Sequence, residues 1–142
     1  DPIRTLSGFQ THDGYLAEQL GWFGPVMEAV NSLPEGSSVA LFWEPRSYYC
    51  EVCCSPDVIL DRWWYMMRTA GTARGAADLL RSQDFTHVLI YDLGVRLVRD
   101  KENAFEESDW EELEHFQAVE LQVVQRFDDT YTLYAIPPFS DE

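Results

Sequence analysis

"VALFWEPRSYYCEVCCSPDVILDRWW", residues 39 to 64, is the stretch that decides the fold. It opens on a short apolar run, Val39–Trp43, with the turn signal "LPEGSS" (33–38) ahead of it and Glu44-Pro45 behind. Such a run between turns predicts a strand buried on both faces, as in a sheet covered by helices. Ser55-Pro56-Asp57 then offers a capping serine, a proline suited to the first helical position and an acid near the positive end of the helix dipole. These signals predict a helix from there through "DVILDRWWYMMRTA" to Gly71. Thr72 is placed to cap a second helix, "ARGAADLLRSQ" (73–83), and "THVLIYD" (86–92) follows as a second buried strand.

Working outward, Leu16, Leu20, Phe23, Val26, Met27, Val30 and Leu33 recur at helical spacing, and Pro25 sets the main helix at 24–33. Residues 92–107 show no clear period. Ser108-Asp109-Trp110-Glu111 has the form of a capping box, opening a helix to about Val119 that turns Trp110, Leu113 and Phe116 inward. "VVQRF" (123–127) and "YTLYAI" (131–136) flank Asp128-Asp129-Thr130 as a hairpin, and Pro137-Pro138 ends the sheet. The expected class is α/β: a layered domain with a mixed sheet of about four to five strands, helices packed on it and a C-terminal β-hairpin. Residues 1–13 are a polar, turn-rich lead-in, and 14–142 are expected to form a single domain.

The chain of 142 residues carries 25 acids against 10 bases, a formal charge of −15, and one of those bases, Lys101, is its single lysine. That balance repels phosphate backbones and anionic membrane surfaces, so no nucleic-acid partner is expected. No apolar run is long enough to span a bilayer. The start at Asp1-Pro2-Ile3, without an initiator methionine, is expected of a fragment of a longer chain. Neither a dinucleotide fingerprint, nor a P-loop, nor a nucleophile elbow is present, so no catalytic residue and no cofactor is assigned.

The chemistry-bearing residues crowd the opening stretch. Glu44, Arg46, Tyr48 and Tyr49 follow the first strand, where open α/β sheets place ligands; an arginine fork with tyrosines beside it suits a carboxylate or phosphate. Asp57, Asp61, Arg62 and Trp64 lie on the predicted helix, with Trp64 a candidate platform for a sugar ring. The plainer expectation is that Arg46 pairs with Asp57 or Asp61 and braces the loop, and that one of Trp63 and Trp64 belongs to the core. Cys50, Cys53 and Cys54 are too few for a zinc site without a fourth ligand, and no histidine stands at ligand spacing. A redox pair, free thiols and a structural disulfide remain open; if a bridge forms, Cys50–Cys54 closes a small loop and leaves Cys53 over.

The order "YLAEQLGWFGPVMEAVNSLPEGSSVALFWEPRSYYC" (15–50), "PDVILDRWW" (56–64), "FTHVLIYDLG" (85–94) and "YTLYAIP" (131–137) resembles the soluble C-terminal domain of GT-C-type membrane glycosyltransferases. These are the dolichyl-phosphate-mannose-protein mannosyltransferase-like and aminoarabinose-transferase-like proteins. The resemblance implies a non-catalytic domain on the extracytoplasmic side of the cell membrane, whose parent uses a polyprenyl-phosphate sugar donor. Its partners would be the membrane-embedded part of the same chain and a glycan or lipid-linked sugar, and the domain would supply architecture or acceptor contacts. The catalytic loops of such families lie in the membrane part, so none is carried over. The competing expectation is a free-standing α/β module that binds a small anion through Arg46 and the nearby tyrosines.

Overall fold

The computed structural model describes residues 23–46, 50–57, 60–101 and 103–139. Five strands form one mixed sheet: β1 (Ser38–Phe42), β2 (Cys53–Ser55), β3 (His87–Tyr91), β4 (Gln122–Phe127) and β5 (Tyr131–Ala135), in the order β2-β1-β3-β5-β4. β1 runs parallel to both β2 and β3, whereas β5 is antiparallel to β3 and to β4. The helices are α1 (described over 23–31), α2 (Arg62–Ala70), α3 (Ala73–Ser82), α4 (Asp92–Arg99) and α5 (Glu107–His115), the last continuing into a π turn at Phe116–Glu120. The layered α/β fold and its closing hairpin are those the apolar pattern predicts.

Strand alternation sorts the core into two layers. Ala40, Phe42, Val88 and Ile90 face α2, α3 and α5, where Trp63, Leu80, Trp110 and Phe116 are buried. Val39, Leu41, Leu89 and Leu133 face α1, whose Phe23, Val26, Met27 and Val30 lie 3% exposed or less. A side chain of this size contributes roughly 1.5–3 kcal/mol on burial, so each layer is held by many such terms. The connection from β1 to β2 is tied to α1, where Asn31 Oδ1 accepts the Glu51 N–H at 2.6 Å.

Three local predictions need correction. The helix expected from Ser55-Pro56-Asp57 begins instead at Arg62. Ser55 is drawn into β2 by parallel pairing with Ala40, and Leu60 takes a left-handed φ of 60°, which a continuous helix excludes. The capping box is displaced: Glu106 is the N-cap residue, and Asp109 reaches back to accept the Glu106 N–H at 2.8 Å. Asp109 is held there by a bidentate contact with Arg68 of α2, at 3.0 and 2.6 Å. The stretch from 92, which shows no clear period, opens with helix α4.

α4 sits where it does because of Gly94. A Cβ at that position would meet Tyr91 Cδ2 at 2.7 Å and Trp43 Cβ at 3.1 Å, so the helix packs directly on the ends of β1 and β3. Gly94→Ala is therefore expected to cost about 2 kcal/mol through overpacking. Leu97→Ala, at a 45% exposed position of the same helix, should stay within about 0.5 kcal/mol. Urea midpoints of the two variants check this, and equal midpoints would remove the close-approach argument.

Candidate functional site at the carboxyl edge of the sheet

The parallel pairing of β1 and β3 brings their carboxyl ends side by side, and the chain then leaves them in opposite directions. β1 leads to β2 on one flank; β3 leads through α4 and α5 to β4 and β5 on the other. This divergence opens a crevice of the kind in which α/β sheets hold ligands. Glu44, Arg46, Tyr91 and the start of β5 meet there.

Glu44 is fully buried. Its carboxylate accepts from Arg46 Nε at 2.7 Å and Arg46 Nη2 at 3.0 Å, from the Arg46 backbone N–H at 3.0 Å, and from the Tyr131 hydroxyl. The Tyr131 oxygen also accepts from Arg46 Nη2 at 2.8 Å, closing the triangle. Burial first, and the Glu44 carboxylate second, hold the Tyr131 phenol well above the usual range, so it stays a donor. The Arg46 guanidinium lies 4.3 Å from the centre of the Phe23 ring, which covers it from α1. Tyr91 stacks on Tyr131 with ring centres 4.7 Å apart.

Arg46 thus pairs with Glu44, two residues away, and not with the expected Asp57 or Asp61. Asp57 serves the backbone: Oδ2 accepts the Trp43 N–H at 2.9 Å, Oδ1 accepts the Arg62 N–H at 3.1 Å, and its own N–H donates to the Glu44 carbonyl at 3.0 Å. It joins the end of β1 to the first turn of α2 and holds Trp43 at φ 61°, an uncommon conformation for a bulky aromatic. Burial raises the Asp57 carboxyl above its ordinary value, outweighing the two N–H donors that lower it. Arg62 turns toward the sheet edge, donating to the Leu41 and Ser55 carbonyls at 3.1 Å and to Ser55 Oγ at 2.6 Å.

The remaining sequence candidates lie apart from this cluster. Asp61 lines a separate hollow between α2 and α3 with Arg62 and Gln83. Trp63 is the core tryptophan, its Nε1 bonded to the Asp109 carbonyl at 2.9 Å. Trp64 is half-buried, its Nε1 3.3 Å from the Ala104 carbonyl and its ring under the Arg68 guanidinium. That cation covers a face a sugar would need. Tyr48 and Tyr49 lie outside the described residues. Cys50 and Cys54 are joined as a disulfide across the β1–β2 connection, and Cys53 is a free, exposed thiol.

Tyr131, Tyr91, Asp92 and Lys101 also belong to this edge but carry no local signal that marks them. Tyr131 sits in a strand of ordinary apolar character, and only the β3–β5 pairing carries it to Glu44. Asp92 accepts from Thr132 Oγ1 at 2.7 Å. Among the described residues no cluster of histidine, cysteine and acid side chains is suited to a metal. No protein-family model, curated protein or solved structure matches the chain.

Glu44→Gln leaves Arg46 facing a neutral partner inside the fold and is expected to cost about 3 kcal/mol. The double variant Glu44→Leu/Arg46→Met, which removes both charges, should cost less than that single change. Denaturant titration of both decides it; a double variant worse than Glu44→Gln would show that the pair stabilises in its own right.

Burial chiefly raises the Asp92 carboxyl, against the lowering contacts with Thr132, Arg96 and Arg126. A carboxyl raised on folding binds more protons folded than unfolded. Its contribution is therefore complete below the unfolded value of 3.8 and is lost as pH climbs through the higher folded value. Asp92→Asn, whose amide oxygen still accepts from Thr132, should flatten the fall in stability between those two values. An unchanged slope in a pH series of thermal midpoints would show that Asp92 does not drive it.

Proposed function

We propose that this chain is the non-catalytic extracytoplasmic domain of a membrane glycosyltransferase that uses a polyprenyl-phosphate sugar donor. In this proposal the carboxyl edge of the sheet meets the membrane-embedded part of the same chain, or the glycan or lipid-linked acceptor. The observation that carries it is the saturation of that edge. Glu44, Arg46, Asp57 and Arg62 are bonded to one another, to Tyr131 and to the main chain, so they brace that edge rigidly from within. General acid–base work needs a carboxyl within reach of a substrate proton, and these carboxyls are turned to internal donors.

Three further features support it. The order of segments from 15 to 137 resembles that of such domains. The Cys50–Cys54 bridge suits an oxidising compartment. No helix of the described residues is long and apolar enough to cross a membrane, and the charge of −15 opposes adhesion to an anionic bilayer, so the rest of the parent chain would hold the domain at the membrane. A free-standing small-anion module is disfavoured by the Arg46 fork, because Glu44 already occupies the side an incoming carboxylate or phosphate would take.

The encoded sequence ahead of Asp1 tests the parentage: a polytopic membrane segment is expected, and a gene without one overturns the proposal. The compartment is tested by alkylating the natively produced protein before reduction. Label should enter at Cys53 alone, with Cys50 and Cys54 labelled only after reductant. Label at all three thiols without reduction removes the extracytoplasmic placement.

A further inference from the structure

Between the ends of β1 and β3 and the inner side of α4 lies a cleft of about 400 Å³, a size that accommodates a small ligand. Its walls are mainly apolar: Trp43, Leu60, Tyr91, Leu97 and Val98, with Lys101 among the lining residues. Gly94 holds its floor against Trp43, and the absence of a Cβ there lets the helix and the strand end meet. Leu60 and Trp43, both lining residues, hold left-handed backbone conformations, with φ of 60° and 61°. Each costs on the order of 1–3 kcal/mol, and such strain gathers at ligand sites.

One polar feature of the cleft is left unused by the fold. Lys101, the only lysine of a strongly acidic chain, makes no ion pair among the described residues. The cleft thus combines an apolar interior with a lysine that makes no ion pair among the described residues. Arg46, also at its wall, is offset by Glu44.

We infer that this cleft binds an amphipathic carboxylate, its apolar body against Leu60, Tyr91, Leu97 and Val98 and its anionic head toward Lys101. A cationic amphiphile would lose the Lys101 attraction, and a small inorganic anion would leave the apolar walls wet. The walls mix aliphatic and aromatic side chains, so a short acyl chain and an aromatic acid share the required chemistry. The inference uses only residues of this fold and holds whether or not the parent is a glycosyltransferase.

The test is NMR titration of the folded domain below the micelle threshold with decanoate, with naphthalene-2-carboxylate and with decyltrimethylammonium. The Trp43 indole N–H, assigned through its own backbone, is the resonance to follow. Saturable shifts at Trp43 with one or both carboxylates are expected; which one binds tighter tells an acyl from an aromatic ligand. Lys101→Glu and Leu97→Glu, both at exposed positions that leave the core intact, should each weaken that binding about tenfold or more, a loss of about 1.4 kcal/mol. Absence of a Trp43 shift with either carboxylate overturns the inference. So does a cationic amphiphile that binds as tightly, or a Lys101→Glu variant with unchanged affinity. Failure here leaves the parentage to be judged on the upstream sequence and the thiol labelling, which are separate measurements.

Discussion

A carboxylate removed from water must have its oxygens occupied by donors, and Glu44 meets that requirement by drawing three elements together. Its two oxygens collect the Arg46 fork, the Arg46 main-chain N–H and the Tyr131 hydroxyl. The end of β1 is thereby joined to β5, a strand to which it is not paired in the sheet, and Phe23 of α1 covers the arginine from outside. Asp57 performs the matching task on the other flank by joining β1 to the start of α2. Between them these two carboxylates hold the carboxyl edge of the sheet in one arrangement.

That arrangement shapes what lies beside it. With Asp57 fixing the Trp43 amide, the indole is committed to the interior, where it stacks on Trp110 at 6.0 Å between ring centres. α4 can then approach only at a residue without a side chain, which is the position Gly94 fills. The cleft between them follows from close packing on one side and the diverging chain on the other. Charged side chains here are mostly turned inward to serve the fold, and the cleft beside them is lined mainly by apolar residues together with Lys101.

Much of the architecture was legible because it depends on local patterns. The runs Val39–Phe42 and His87–Tyr91 needed only their composition and flanking turns; the hairpin needed the Asp128-Asp129-Thr130 punctuation. The helix start at Asp57 was misread because its Ser-Pro-Asp signal is genuine chemistry spent on another task. Ser55 pairs with β1, and the Asp57 side chain accepts from Trp43 fourteen residues back as well as from Arg62. The Arg46 partner was misassigned for a related reason. Asp57 and Asp61 seemed natural mates across a loop, but Glu44 sits on the same bend, close enough to accept the fork with both oxygens.

The sequence alone determined the two-sided core, the strands β1, β3, β4 and β5, the helices α1, α3 and α5, and the clustering of arginine and acid after the first strand. Those are properties of neighbouring residues, and the periods of helix and strand make them readable in one dimension. Which acid holds which arginine, the arrival of Tyr131 at Glu44, and the meeting of Trp43, Gly94 and Lys101 around one cleft were decided only by tertiary structure. Strand order sets them, and strand order is a choice among distant segments that no local pattern encodes.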